Sequence, residues 1–482
     1  MKASSCSLLK RSKFLWLLSL ARGRQNDIHT EAGRSAERYR RAALTAASSV
    51  VARGIAAATG LVSVPLAIGY LGTERYGLWM AISSVVTMLS LADFGMGNGL
   101  LAAISAAKGK SDRQMAIDSV SSAFFILTVL AACIVAVTFL LTPLLPWKAI
   151  FNVSTPLAAA EIAPAVLIFA VCVALNLPLG TVDRVQTGFQ EGFVNNFWQS
   201  VSALLGLGCV IAAIRLKCGL PLLVAAVAGA PTLARAINWV FEFMFIRPWL
   251  RPSLRSFDRV RAISLTKTGV VFFTLNVLTI LSYASDSIII AHFLGVPAVA
   301  TYAVVQKLFS STAVSEYLIA PLWPAFGEAI ARRDFDWIRR AIRRSLFFNV
   351  PVTVAIGICL VAFGRPLIAW WTASKIFAPV PLLLSFAVLR ILMVYQGTFS
   401  VFLNHDDTLR KQLGFYALAS AASIIMKFVL VRHFREAGVI WATIIGFALF
   451  YTVPAARLVA RCLSVESEDA SARRPEGPIP CV

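Results

Sequence analysis

The chain has 482 residues, of which 58% are hydrophobic and only 14% charged, against roughly 45–50% and 25% in soluble domains. Apolar runs of about 20 residues recur along the whole length, which excludes a soluble globular protein and makes lipid the solvent. A formal net charge of +21 raises nucleic acid as a partner, but most Lys and Arg lie in short loops beside apolar runs, where they set topology, so nucleic-acid binding is set aside.

Residues 1–43 form a basic segment, expected on the cytoplasmic side and accessory to the fold. Its one apolar run, Phe14 to Ala21, is too short to span a bilayer and is followed by Arg-Gly-Arg where a signal peptide needs small residues. It reads as an interfacial segment or an upstream start. Twelve helices then fit the hydropathy: 44–70, 78–107, 116–142, 161–183, 196–214, 219–246, 268–292, 300–328, 345–363, 379–403, 412–431 and 436–456. No connection between them can hold a soluble domain. Residues 463–482, with Glu466, Glu468, Asp469 and three prolines, read as a disordered cytoplasmic tail.

Loop charge orients the chain. The N-terminus and every second loop carry 32 Lys and Arg, the opposite side only 8. This excess puts both termini in the cytoplasm.

The chain also repeats. Leu71-Gly72 followed by Tyr76 resembles Leu294-Gly295 followed by Tyr302, and basic loops follow each at Lys108 to Arg113 and Arg332 to Arg344. Six helices per repeat is an even number, so the repeats are parallel. The expected fold is all-α and polytopic: about 12 transmembrane helices in two parallel-repeat six-helix bundles around a central cleft. The first bundle covers 44–248 and the second 268–462, joined by a basic cytoplasmic linker over 249–267.

Five cations, Arg53, Arg235, Lys307, Arg390 and Lys427, fall inside predicted spans. At roughly 2.5–3.5 kcal/mol each on a translocon scale, they cost about 12–17 kcal/mol unless they snorkel to the surface. Three deep carboxylates, Asp93, Asp286 and Glu316, are too few to neutralise them, and are candidates either for structural ion pairs or for coupling transport to an ion gradient. The surplus of cations fits a phosphate or pyrophosphate, which Arg grips in a bidentate way. Mapped through the repeat, these charges are not duplicated, which favours one off-centre cargo site. Pro65, Pro178, Pro231, Pro321, Pro324 and Pro454 mark kinks or hinges. The eight cysteines lack CxxC spacing and His29, His292, His405 and His433 have no ligand-spaced neighbours, so neither a metal nor a cofactor is expected.

The segments YLGTERYGLW (70–79), LSLADFGMGNGL (89–100), FQEGFVNNFWQ (189–199), GLPLLVAAVAGAPTLA (219–234) and FLGVPAVATYAV (293–304) resemble the Wzx-type O-antigen flippases. These form the polysaccharide-export branch of the multidrug/oligosaccharidyl-lipid/polysaccharide (MOP) superfamily. The loop Asn404 to Lys411 departs from the Gly-containing turn usual there. The resemblance implies a two-lobed bundle that flips an undecaprenyl-pyrophosphate-linked oligosaccharide across the bacterial inner membrane by alternating access. It implies a cationic cavity, for which the five cations are the candidates, and pathway polymerases and glycosyltransferases as possible partners. A peptidoglycan lipid II flippase and a drug/cation antiporter are the alternatives within the superfamily. An enzyme of the same pathway is disfavoured, because the longest extracytoplasmic loop, 143–160, carries only Lys148 as a charged group.

Overall fold

A computed structural model describes residues 31–89, 93–147, 155–310, 318–372 and 376–472. The Phe14 to Ala21 run and Glu316 lie outside the described residues. The described residues form helices and turns with no strand. In the first half these are α1 (Glu31–Leu89), α2 (Met96–Lys110), α3 (Arg113–Leu141), α4 (Pro156–Leu179), α5 (Thr181–Gly188), α6 (Gly192–Arg215) and α7 (Leu220–Phe241). The second half holds α8 (Arg259–Leu294), α9 (Val296–Ser310), α10 (Leu322–Ala331), α11 (Phe335–Trp371), α12 (Val380–Leu403), α13 (Asp406–Phe447) and α14 (Val453–Ala472).

Among the described residues nine helical stretches are long and apolar enough to cross a membrane. The difference from twelve has local causes. The span expected at 78–107 breaks where Phe94 and Gly95 turn left-handed (φ 45° and 73°), and there the Asp93 carboxylate accepts from Gly95 N at 2.9 Å to start α2. Within the span expected at 300–328 the described residues form α9 and α10, and 311–317 lie outside them. The last two run together through α13, where Arg435 takes φ 53° and reverses the chain. The described helices therefore fit twelve crossings in two sets of six. Helix extends past the expected ends: α1 starts at Glu31, inside the segment read as accessory, and α14 runs to Ala472, inside the stretch read as disordered.

The repeat is present in the backbone itself. Gly72 (φ 76°, ψ 173°) and Gly295 (φ 84°, ψ 168°) share one conformation, open almost only to glycine. Just past α2 and α10, Ser111 (φ 56°) and Arg333 (φ 58°) likewise take the left-handed region. The next residue in each half is an aspartate that caps the following helix: Asp112 accepts from Met115 N and Asp334 from Trp337 N. A π-turn closes the sixth span at Glu242–Ile246 and interrupts the twelfth at Ala448–Thr452.

The halves meet along α2, which packs against α8 and α10, while α3 and the start of α1 add further contacts. Small residues permit the approach. A Cβ on Gly99 would lie 3.0 Å from Leu265 O, and one on Gly109 would sit 2.9 Å from Glu328 O and overlap the Ala331 methyl. A Cβ on Gly327 would lie 2.7 Å from Ser105 Cβ. This seam lies at the helix ends that carry the basic loops Lys108 to Arg113 and Arg332 to Arg344, so the cleft is closed on that side.

Candidate functional site

The first half holds a cavity of about 410 Å³ between α1, α6 and α7. Its α1 wall is mostly small: Ala52, Ala56, Thr59, Gly60 and Ser63 recur at helical spacing around Arg53. Facing it, α6 presents Asn195, Trp198, Gln199 and Ser202, again one helical face. The α7 wall supplies Pro231, Arg235 and Asn238, and Asp183 of α5 closes the end. An adjoining cavity of about 480 Å³ shares Asp183, Asn195 and Arg235 and adds Asp93, Asn176 and Arg184.

Arg235 is fixed by two partners. Its Nε donates to Asp183 Oδ2 at 2.8 Å, and its Nη1 donates to Asn176 Oδ1. Asn176 is held in turn by Thr232 Oγ1 at 2.7 Å. The Arg235 side chain keeps 31% of its surface exposed and lines both cavities. Arg53 is exposed and stands on the opposite wall. Asn238 is less available than it looks: it exchanges two hydrogen bonds with Gln186, 2.7 and 3.2 Å, both residues being fully buried. Arg184 donates to Asn98 Oδ1 at 3.0 Å. Asp93 caps α2 while lining the second cavity.

The second half treats its charges differently. Arg390 lines a smaller cavity of about 280 Å³ whose walls include Tyr283, Tyr302, Phe309 and Phe386. Lys427 is 0% exposed; its Nζ pairs with Asp286 Oδ1 at 2.6 Å and donates to the Ser282 carbonyl. The other Asp286 oxygen accepts from Tyr302 Oη at 2.6 Å. Lys307 is exposed and lines none of these cavities. The five cations thus divide: Arg53 and Arg235 share one cavity, Arg390 occupies another, Lys427 is sealed in an ion pair, and Lys307 stands apart.

Sequence reasoning had not singled out two groups. Asp183 and Asn176 lie two turns apart on consecutive helices and so share the face that Arg235 meets; that spacing was a usable signal. Glu328 of α10 gathers Lys108 Nζ at 2.9 Å, Gln190 Nε2 at 2.7 Å, and the Arg38 and Arg332 guanidinia at 3.6 and 3.4 Å. Arg38, only 2% exposed, also pairs with Asp334 at 2.7 Å and stacks over Trp337. No pattern in the sequence joins those positions. Beside them Arg247 pairs with Glu191 at 2.7 Å and with Glu242. Burial works against the charge on its guanidinium, but these two carboxylates outweigh it and raise the pKa above the usual value.

Comparison with known proteins places this geometry. Residues 45–330 match the family described as "Polysaccharide biosynthesis protein". A putative O-antigen export protein of Yersinia pseudotuberculosis is 23% identical over 75% of this chain and 82% of its own length. A putative O-antigen transporter of Salmonella typhi is 22% identical over 85% of this chain and 94% of its own. Among solved structures, an outward-facing multidrug resistance MATE family transporter of the MOP superfamily superposes with a TM-score of 0.73 at 13% identity, over 89% of this chain and 97% of that one. So does a MOP superfamily transporter from Pyrococcus furiosus, whose reversed binding-pocket polarity suggests a different function for that protein. Its TM-score is 0.68 at 13% identity, with the same coverage. The chain is a multi-pass membrane protein with the MOP transporter fold, and it belongs to the polysaccharide biosynthesis protein family.

Proposed function

We propose that this protein flips an undecaprenyl-pyrophosphate-linked oligosaccharide, the repeat unit of an O-antigen, capsule or exopolysaccharide, across the bacterial inner membrane by alternating access. The observation that supports this best is the pair Arg53 and Arg235 on facing walls of one cavity. Moving a pyrophosphate through hydrocarbon is prohibitive because its charge loses hydration. Two guanidinia lining one cavity replace that hydration, while the polyprenyl tail stays in lipid. Asp183 offsets one of the two, which keeps the empty cavity from carrying a large unpaired charge.

The direction follows from loop charge. Both termini lie in the cytoplasm, so the seam at Glu328 closes the cytoplasmic end and the cavity faces the periplasmic leaflet. Reset requires the two halves to part at that seam and close at the other end. Among the three carboxylates read as coupling candidates, Asp93 lines the cavity group whereas Asp286 is held by Lys427, so Asp93 is the better placed to respond to an ion gradient. Polymerase and glycosyltransferases of the same pathway are the partners this role implies. The relatives named as export and transport proteins agree with transport rather than catalysis.

The test is complementation of a flippase-null strain by Arg53→Ala and Arg235→Ala at matched expression. Surface polysaccharide should fall at least about tenfold for each, the loss of one bidentate phosphate contact. Full surface polysaccharide from both variants overturns the head-group role.

A further inference from the structure

The face of α6 opposite Arg53 carries a feature that phosphate binding does not need. Asn195, Trp198, Gln199 and Ser202 follow one another along it, and all line the same cavity as Arg53 and Arg235. The α1 wall across from them is thinned to Gly60, where an added Cβ would meet nothing within 4 Å. Space is therefore left in front of an indole ring and two amides.

The amides are poised rather than used up. Gln199 Nε2 donates to Asn195 Oδ1 at 3.2 Å, which orients the pair and leaves the Asn195 N–H groups and the Gln199 carbonyl without a protein partner among the described residues. That offers a donor and an acceptor side by side, the complement of a vicinal diol or an N-acetyl group. Trp198 adds a broad apolar face with negative charge density, onto which the weakly positive C–H face of a pyranose packs. Asn238, which also lines the cavity, is committed to Gln186 and takes no part.

Position sets the order of the cargo. Asn195 borders both cavities that Arg235 lines, so it stands next to the cationic end. From there the lining continues along α6 through Ser202, Gly206 and Val210, roughly 22 Å at 1.5 Å per residue. We infer that Asn195, Trp198 and Gln199 form a sugar subsite that recognises the pyranose attached directly to the pyrophosphate, with later sugars running along α6. This rests on the reading of Arg53 and Arg235 as the head-group cradle.

Binding of two probes to the purified full-length protein in lipid nanodiscs separates the two ideas. Undecaprenyl pyrophosphate carries the head group alone, and undecaprenyl-pyrophosphoryl-N-acetylglucosamine adds one sugar. The native protein should bind the glycosylated probe about tenfold more tightly, the scale of one aromatic contact plus amide hydrogen bonds. Trp198→Ala and the double change Asn195→Ala with Gln199→Ala should reduce that preference to about twofold while bare pyrophosphate binds as before. Trp198→Phe, which keeps an aromatic face and guards against misfolding, should retain most of it. Equal binding of both probes by the native protein, or a preference that survives Trp198→Ala, overturns the sugar subsite. Loss of both probes in Arg53→Ala and Arg235→Ala supports the cradle independently, and unchanged binding there overturns the cradle.

Discussion

Lys108 of the first half and Glu328 of the second meet at 2.9 Å across the seam that closes one end of the cleft. Glu328 serves several cationic and amide donors at once, whereas Lys108 has, among the described residues, Glu328 as its only carboxylate within ion-pair distance and the Phe189 carbonyl at 3.2 Å. The closed end is therefore held mainly by one acceptor, Glu328, facing several donors, most of them from the other half, with Asp334 adding a second contact to Arg38.

That asymmetry predicts unequal effects. Glu328→Gln leaves several buried or half-buried cations short of a counter-charge and should cost about 3–5 kcal/mol, the range for breaking a buried pair. Lys108→Met leaves Glu328 with Arg38, Arg332 and Gln190 and should cost clearly less. Thermal unfolding of the two variants gives the order. Spin labels at Lys110→Cys and Arg333→Cys should report a longer distance, or a second population, in Glu328→Gln alone.

Gly109 tests the seam by shape instead of charge. Any side chain there meets the Ala331 methyl and the Glu328 carbonyl at 2.9 Å, and both belong to packed helix. Gly109→Ala should force α2 and α10 apart at a cost of about 1–3 kcal/mol. The same spin-label pair should then lengthen without any change in charge; an unaltered distance would mean that α10 yields locally.

The repeated glycines give a cleaner comparison. An added Cβ meets nothing within 4 Å at Gly72, and only Pro297 Cδ at an ordinary 3.7 Å at Gly295, yet both backbones sit where other residues are strained. Gly72→Ala and Gly295→Ala should each destabilise by about 1–3 kcal/mol, and by similar amounts. A large difference in melting between them would show that the two halves do not use this turn alike.

Much of this architecture was legible because hydropathy and loop charge are local properties. The Leu-Gly pairs at 71–72 and 294–295 marked the repeat, and the glycines hold one conformation. The break at Phe94 was less legible, since a left-handed residue inside an apolar run leaves no periodicity signal, whereas the reversal at Arg435 falls in the gap expected between the spans at 412–431 and 436–456. At the site, the depth of a cation could be read but not the direction it faces. Arg53 and Lys427 look alike as charges in spans; one lines a cavity and the other is sealed against Asp286. Arg38 looked like part of a loose basic segment because its partners, Glu328 and Asp334, lie nearly three hundred residues away.

The Asp286–Lys427 pair supplies the sharpest discrimination among the five cations. Both side chains are almost fully buried, and Tyr302 and the Ser282 carbonyl satisfy them further. Lys427→Met leaves the Asp286 carboxylate, among the described residues, with the Tyr302 hydroxyl alone and should destabilise by about 3–5 kcal/mol. Adding Asp286→Asn removes the uncompensated charge, so the double variant should recover most of the lost melting temperature, and a neutral pair of similar shape can even equal the native one. Surface polysaccharide then separates structure from cargo contact. If Lys427 acts only through packing, the stable double variant should support near-native display, whereas Arg53→Ala at equal stability should not. A stable double variant that still fails to display polysaccharide would return Lys427 to the transport path and require that the pair open during the cycle.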